Sequence, residues 1–148
     1  PHLKLGLFDL PEVAVTGAQL LGEALGAGRV TGHPGNFFSD SIPEGYDMVS
    51  LVRILHDHDD APAQALLGNI RKSLAPGARL LIAEPMAQIP GTEPMGEAFF
   101  GLYLWAMGSG RPRSPAEIIA MTRAAGFASA RFVATAQPVN ASVIIATA

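Results

Sequence analysis

The sequence predicts an α/β layered domain with a mainly parallel sheet. Two observations carry this. Apolar runs of strand length alternate with segments of helical period along all 148 residues, and Gly and Pro punctuate nearly every change of period. A composition that is 49% hydrophobic and only 16% charged excludes disorder and supplies a core for one domain.

The elements follow in order. Leu3–Leu10 alternates and stops at Pro11, as a strand does. Pro11–Leu25 places Val13, Val15, Leu20, Leu21 and Leu25 at helical spacing, closed by Gly26 and Gly28. A short strand is expected at Arg29–Thr31, then a Gly/Pro/Asn loop leading to Phe37 and Phe38. Tyr46–Leu55 is a near-continuous apolar run, the pattern of a central strand buried on both faces, whose one charge, Arg53, needs a partner. Asp59 or Asp60 caps the next helix, with Pro62 in its first turn and Leu66, Leu67, Ile70 and Leu74 on its inner face. Ala78–Ala83 reads as a buried strand. Pro94–Met107 reads as one apolar, aromatic helix. Ser114–Ala125 reads as a helix capped by Ser114, and Phe132–Ala136 and Ala141–Thr147 as the last strands.

Charge and composition narrow the function classes. The net charge is −3 and no Lys/Arg cluster tracks a phosphate backbone, so no nucleic-acid partner is expected. The longest apolar-rich stretch, Ala98–Met107, is about half the roughly 20 residues that span a bilayer. Without cysteine there are no disulfides or thiolate metal sites. Pro1–Asp9 has no signal-peptide pattern, and a cytoplasmic location is expected.

Three spots carry chemistry. Asp9 stands at the carboxyl end of the first visible strand, where nucleotide-binding α/β folds hold a ribose acid about 20 residues after a glycine-rich turn. Counting back places that turn before Pro1, and Gly108-Ser109-Gly110 follows a helix, the wrong context. A strand-end Asp that merely caps the helix at Pro11 is the other reading. The second spot, His56-Asp57-His58-Asp59-Asp60, follows a strand and so falls at the ligand crevice of an open sheet. His56 suits a general base there. The set His56-x-His58-x-Asp60 partly matches a metallohydrolase motif, but Ala61 stands where its last histidine belongs; a solvated loop with a helix cap is the plain reading. The third is Glu84, a carboxylate after five apolar strand residues. It is costly unless partnered at the crevice, and otherwise an edge carboxylate in water.

FDLPEV (Phe8–Val13), GNFF (Gly35–Phe38), DMVSLVRILHDHDD (Asp47–Asp60), LAPGARLLIAEPM (Leu74–Met86) and SGRPRSPAEIIAMTRAAGF (Ser109–Phe127) occur in this order. Together they resemble the catalytic domain of the S-adenosylmethionine-dependent O-methyltransferases of small hydroxylated metabolites, most of all the bacterial hydroxyneurosporene methyltransferases of carotenoid biosynthesis. The resemblance covers essentially residues 1–148 and implies a Rossmann-like class I methyltransferase sheet with helices on both faces. Its glycine-loop first strand and its N-terminal dimerisation domain are absent from this sequence. It also implies S-adenosylmethionine as cofactor, no metal, an apolar hydroxylated small molecule as substrate, and a homodimer. Asp9 matches the acid that accepts the ribose hydroxyls. Asn36 replaces the family's adenine-binding Asp, followed by Phe37 and Phe38, and Arg53 matches a basic residue near the cofactor. His56 matches the general base, accompanied by Asp57 and steadied by Glu84, while Pro112 stands where a further family acid belongs. Phe99, Phe100, Tyr103, Trp105 and Met107 would line the acceptor pocket, or else serve core or dimer packing. A nicotinamide-dependent oxidoreductase and a truncated or degenerate methyltransferase-like domain that only binds or dimerises are the alternatives.

Overall fold

The computed structural model describes residues 2–26 and 28–148. They form two compact units, Pro1–Glu44 and Gly45–Ala148.

The first unit is a β-α-β crossover. Strand β1 (Leu5–Asp9) runs parallel to β2 (Val30–Pro34), and α1 (Pro11–Leu25) connects them. Pro11 starts α1 at a position where its missing N–H costs nothing, and Gly26 ends it at φ 105°. Small residues let the helix approach the sheet. A Cβ on Gly32 would lie 2.9 Å from the Ala14 carbonyl oxygen, and one on Gly17 would lie 2.5 Å from Leu7 Cδ2. Strand β2 continues through the Gly-His-Pro stretch expected as loop, because pairing with β1 holds it extended as far as Asp9 opposite Pro34.

The second unit is a four-stranded sheet of order β3-β4-β6-β5, from β3 (Met48–Val52), β4 (Arg79–Glu84), β5 (Ser129–Val133) and β6 (Ser142–Thr147). Here the expectation of a mainly parallel sheet is corrected. Only β3 and β4 are parallel, while β6 runs antiparallel to both β4 and β5. Helices α2 (Asp60–Ser73) and α4 (Pro115–Ala124) touch one another, and α4 packs on β5 and β6. The core is the face made by Leu80, Ile82, Ile144 and Ala146 of the sheet, with Leu66, Leu67 and Ile70 of α2 and Ile118 of α4.

Three further readings change. Strand β3 is an edge among the described residues and is not buried on both faces: Met48 is 44% and Val52 56% exposed. The apolar run reads longer than the strand because Leu55 is buried in a following 3₁₀ turn, Leu55–Asp57. Strand β5 lies three residues earlier than expected, where Ser129–Val133 pairs with β6. The aromatic helix begins as a π-helical turn, Pro94–Phe99, and becomes α-helical only over α3 (Phe100–Met107).

Candidate functional site

The centre of the site is the turn between β3 and α2. After β3 the chain reverses through Arg53 in the left-handed region at φ 57°, an uncommon conformation for a residue with a long side chain. Leu55–Asp57 then forms the 3₁₀ turn, which buries Leu55 and His56 and leaves Asp57 half exposed. His56 Nε2 lies 3.3 Å from Asp57 Oδ1, and Nδ1 is buried without a hydrogen-bond partner among the described residues. Burial lowers the imidazole pKa below its usual value, more than the Asp57 carboxylate raises it; Arg53 and Arg113 push the same way as burial. His56 is therefore neutral at pH 7, with a lone pair to accept a proton.

Glu84 ends β4, the parallel neighbour of β3, and is fully buried. Its Oε2 accepts the His56 backbone N–H at 3.1 Å, so Glu84 steadies the turn through the main chain, and no hydrogen bond joins it to the imidazole. Burial pushes its pKa up to about 7.

A second feature was not read from the sequence. All four carbonyls of residues 55–58 are held by the segment between α3 and α4. Arg113 Nη1 donates to Leu55 O at 2.9 Å, and its Nη2 donates to His58 O at 2.7 Å. The Arg111 N–H donates to His56 O at 3.0 Å, and Ser109 Oγ donates to Asp57 O at 3.0 Å. Arg113 is wholly buried and also donates to Asp60 Oδ1 at 2.8 Å. Asp60, hydrogen-bonded by Arg111 and then Arg113, stays below the usual carboxylate range. Gly110 sits at φ 82°, and a Cβ there would collide with the His56 carbonyl. Asp59 takes the N-cap position of α2, yet its carboxylate accepts the Gly110 N–H at 2.9 Å and does not cap the helix. The signal for this strap was two arginines in a Gly/Pro-rich loop, which alone do not name their partners.

Phe100 closes the side of the site. Its ring centroid is 5.7 Å from the His56 ring, and the Arg53 guanidinium lies 5.1 Å above it, the partner that Arg53 needed. Phe99 and Tyr103 stack at 6.4 Å on the exposed face, and Trp105 and Met107 are more exposed still. His58, two residues beyond His56, has its pKa lowered chiefly by burial. Among the described residues no group of three or more His, Asp or Glu is arranged to hold a metal ion.

The remaining residues singled out lie in the first unit, on one end of its sheet. Asp9 closes β1, and Asn36 follows β2 by two residues. Asp9 Oδ1 accepts the Leu10 N–H at 2.7 Å and does not cap α1, whose N-cap is Leu10 with no side-chain bond. Asn36 Oδ1 accepts the Phe38 N–H at 2.9 Å, while its own N–H donates to Asp40 Oδ2 at 2.8 Å. Phe37 and Phe38 meet edge to face at 4.7 Å. A Cβ on Gly35 would lie 2.5 Å from the Phe8 ring, which explains the glycine before Asn36.

Comparison with known proteins identifies the family and the fold. Residues 1–128 match the family model described as O-methyltransferase domain. The chain is 39% identical over 144 residues to the demethylspheroidene O-methyltransferase of Rhodobacter capsulatus, covering 97% of this chain and 35% of that protein. It is 40% identical to the enzyme of the same name from Cereibacter sphaeroides, covering 99% of this chain and 38% of that one. The crystal structure of human N-acetylserotonin methyltransferase in complex with SAM superposes with a TM-score of 0.82 at 27% identity, over 97% of this chain and 40% of that one. The chain thus spans a little over a third of the length of the curated relatives it matches.

Proposed function

The chain belongs to the O-methyltransferase domain family, and from that premise we propose that the protein transfers a methyl group from S-adenosylmethionine to a hydroxyl of an apolar small molecule, a hydroxylated carotenoid in the first instance. The observation that carries the reading is His56: a buried, neutral imidazole at the carboxyl end of a parallel strand, paired with Asp57 and anchored by Glu84. S-adenosylmethionine, when bound, supplies a methyl already activated on a sulfonium whose leaving group is a neutral thioether.

The residues fit that cofactor. Asp9 has one carboxylate oxygen on the Leu10 N–H, and the other, without a hydrogen bond to the described residues, can accept from a ribose diol. Asn36, Phe37 and Phe38 follow β2 at the same end of the sheet and offer an amide and two rings to an adenine. Arg53 is held by the Phe100 ring near the base. His56 accepts the acceptor's hydroxyl proton on the ring nitrogen that carries no hydrogen, while its Nε2–H faces the half-exposed Asp57 carboxylate at 3.3 Å. That carboxylate then stabilises the imidazolium, a positioned-base effect typically worth about 10²–10⁴-fold. Phe99, Tyr103, Trp105 and Met107 offer an exposed apolar surface suited to an acceptor of low polarity. The carotenoid assignment draws on the printed names of the two bacterial relatives. The homodimer and the cytoplasmic location belong to the same proposal; the homodimer rests on the family resemblance.

The test incubates the full polypeptide with S-adenosylmethionine and a panel of hydroxylated carotenoids and simple phenols. The expected result is a product heavier by one methylene unit and an equal yield of S-adenosylhomocysteine. Binding of cofactor with no transfer to any hydroxyl would instead mark a domain that only binds.

A further inference from the structure

Glu84 and Ser142 are direct cross-strand partners on the antiparallel β4–β6 pair. They share the inner face with the pairs Ile82–Ile144 and Leu80–Ala146, and all six residues are fully buried or nearly so. Both carry an orphan polar atom: Glu84 Oε1 and Ser142 Oγ have no hydrogen-bond partner among the described residues. Buried polar groups are nearly always satisfied. Cross-strand partners on one face hold their Cβ atoms about 4.5–5.5 Å apart, within reach of a serine and a glutamate side chain. The other Glu84 oxygen is already committed to the His56 N–H.

We propose that Ser142 is a positioning residue for the His56 base: its hydroxyl donates to Glu84 Oε1 through one buried water and keeps the carboxylate in the form that anchors the His56 turn. The inference rests on the reading of His56 as the base and extends it to a residue on a different strand. A serine suits the place because its proton can turn toward the acceptor, whereas an apolar residue would leave a buried carboxylate oxygen unpaired. The charged or titratable groups around Glu84 are Arg113 from the strap and Asp57 and His56 from the turn. Ser142, the first residue of β6, is flanked in sequence by Ala141 and Val143, which bring no charge. Among these neighbours Arg113 favours the carboxylate form and Asp57 opposes it.

The experiment is a carbon-13 NMR titration of the Glu84 side-chain carboxyl in the full polypeptide, assigned by its loss in Glu84→Gln. It compares wild type with Ser142→Ala, Ser142→Val and Ser142→Thr. A lost hydrogen bond to the charged form raises the midpoint, which lies near 7 in the wild type, by about one pH unit in the Ala and Val variants. Thr, which keeps the hydroxyl in nearly the volume of Val, returns the midpoint to the wild-type value. In methyl transfer, the acid limb of kcat moves up by the same amount in Ala and Val, with the Kd for S-adenosylmethionine unchanged. A midpoint that stays put or falls in Ser142→Ala overturns the inference. The titration needs no turnover, so this failure is separable from a failure of the methyltransferase reading, which would leave the wild type inactive.

Discussion

At the scale of single residues, the site turns on two buried titratable groups shifted in opposite senses. Burial lowers the His56 pKa, so the neutral base persists to a lower pH than an exposed histidine allows. Burial raises the Glu84 pKa from 4.5 to about 7, so the folded chain binds a proton there that the unfolded chain has released. The stability supplied by that bound proton is fully present below about 4.5, falls as pH rises through the window to 7, and is lost above it. Glu84→Gln removes the ionisation and should therefore stabilise the fold at pH 8, by on the order of 3 kcal/mol, with the gain vanishing toward pH 4.5. Denaturant titrations at the two pH values check this; an equal difference at both would show that the carboxylate carries no burial cost. The sequence flagged both residues from position alone. It could not show that Glu84 reaches the histidine's main chain, because that depends on the register of β3 against β4.

Among the elements, the strap of residues 109–113 decides how well the base is placed. It satisfies every carbonyl of the turn, and Arg113 does two of the four while buried. Arg113→Lys keeps the charge but loses the fork, leaving at least one buried acceptor unpaired. It should cost about 1.5–3 kcal/mol of stability and lower turnover more than cofactor affinity, as paired melts and calorimetry would show. Unchanged stability would mean that water replaces the fork without penalty. Helix α4 was legible to within a residue because its signals are local: Ser114 and Glu117 form a capping box around Pro115. Helices α1 and α2 and strand β4 were legible for the same reason. The strap was not, since its partners lie more than fifty residues away. The π-helical start of the aromatic helix was equally hidden. There Gly96 packs on the Met86 carbonyl and Glu97 takes the Gln88 N–H, contacts that no period reveals. Phe100, the third residue of the apolar run Ala98–Met107, gains its role only from facing His56.

For the whole molecule, the strands divide into a parallel pair and a mixed four-stranded sheet. Among the described residues of its own sheet, strand β3 is an edge with exposed Met48 and Val52, and α3 exposes Leu102, Trp105 and Met107. Edges and apolar faces of this kind recruit partners. Residues 1–148 expressed alone should therefore associate in a concentration-dependent way in analytical ultracentrifugation, and a strictly monomeric species at every concentration would contradict that. The antiparallel β6 was legible as a strand but not in direction, because an apolar alternation reads the same from either end. The central proposal, methyl transfer with His56 as base, is tested most directly on the full polypeptide by comparing kcat and cofactor Kd for His56→Ala and His58→Ala, each with and without a chelator. The account predicts that His56→Ala lowers kcat by about 10²–10⁴-fold with Kd unchanged, that His58→Ala is mild, and that chelation does nothing. Equal, chelator-sensitive losses at both histidines would contradict it.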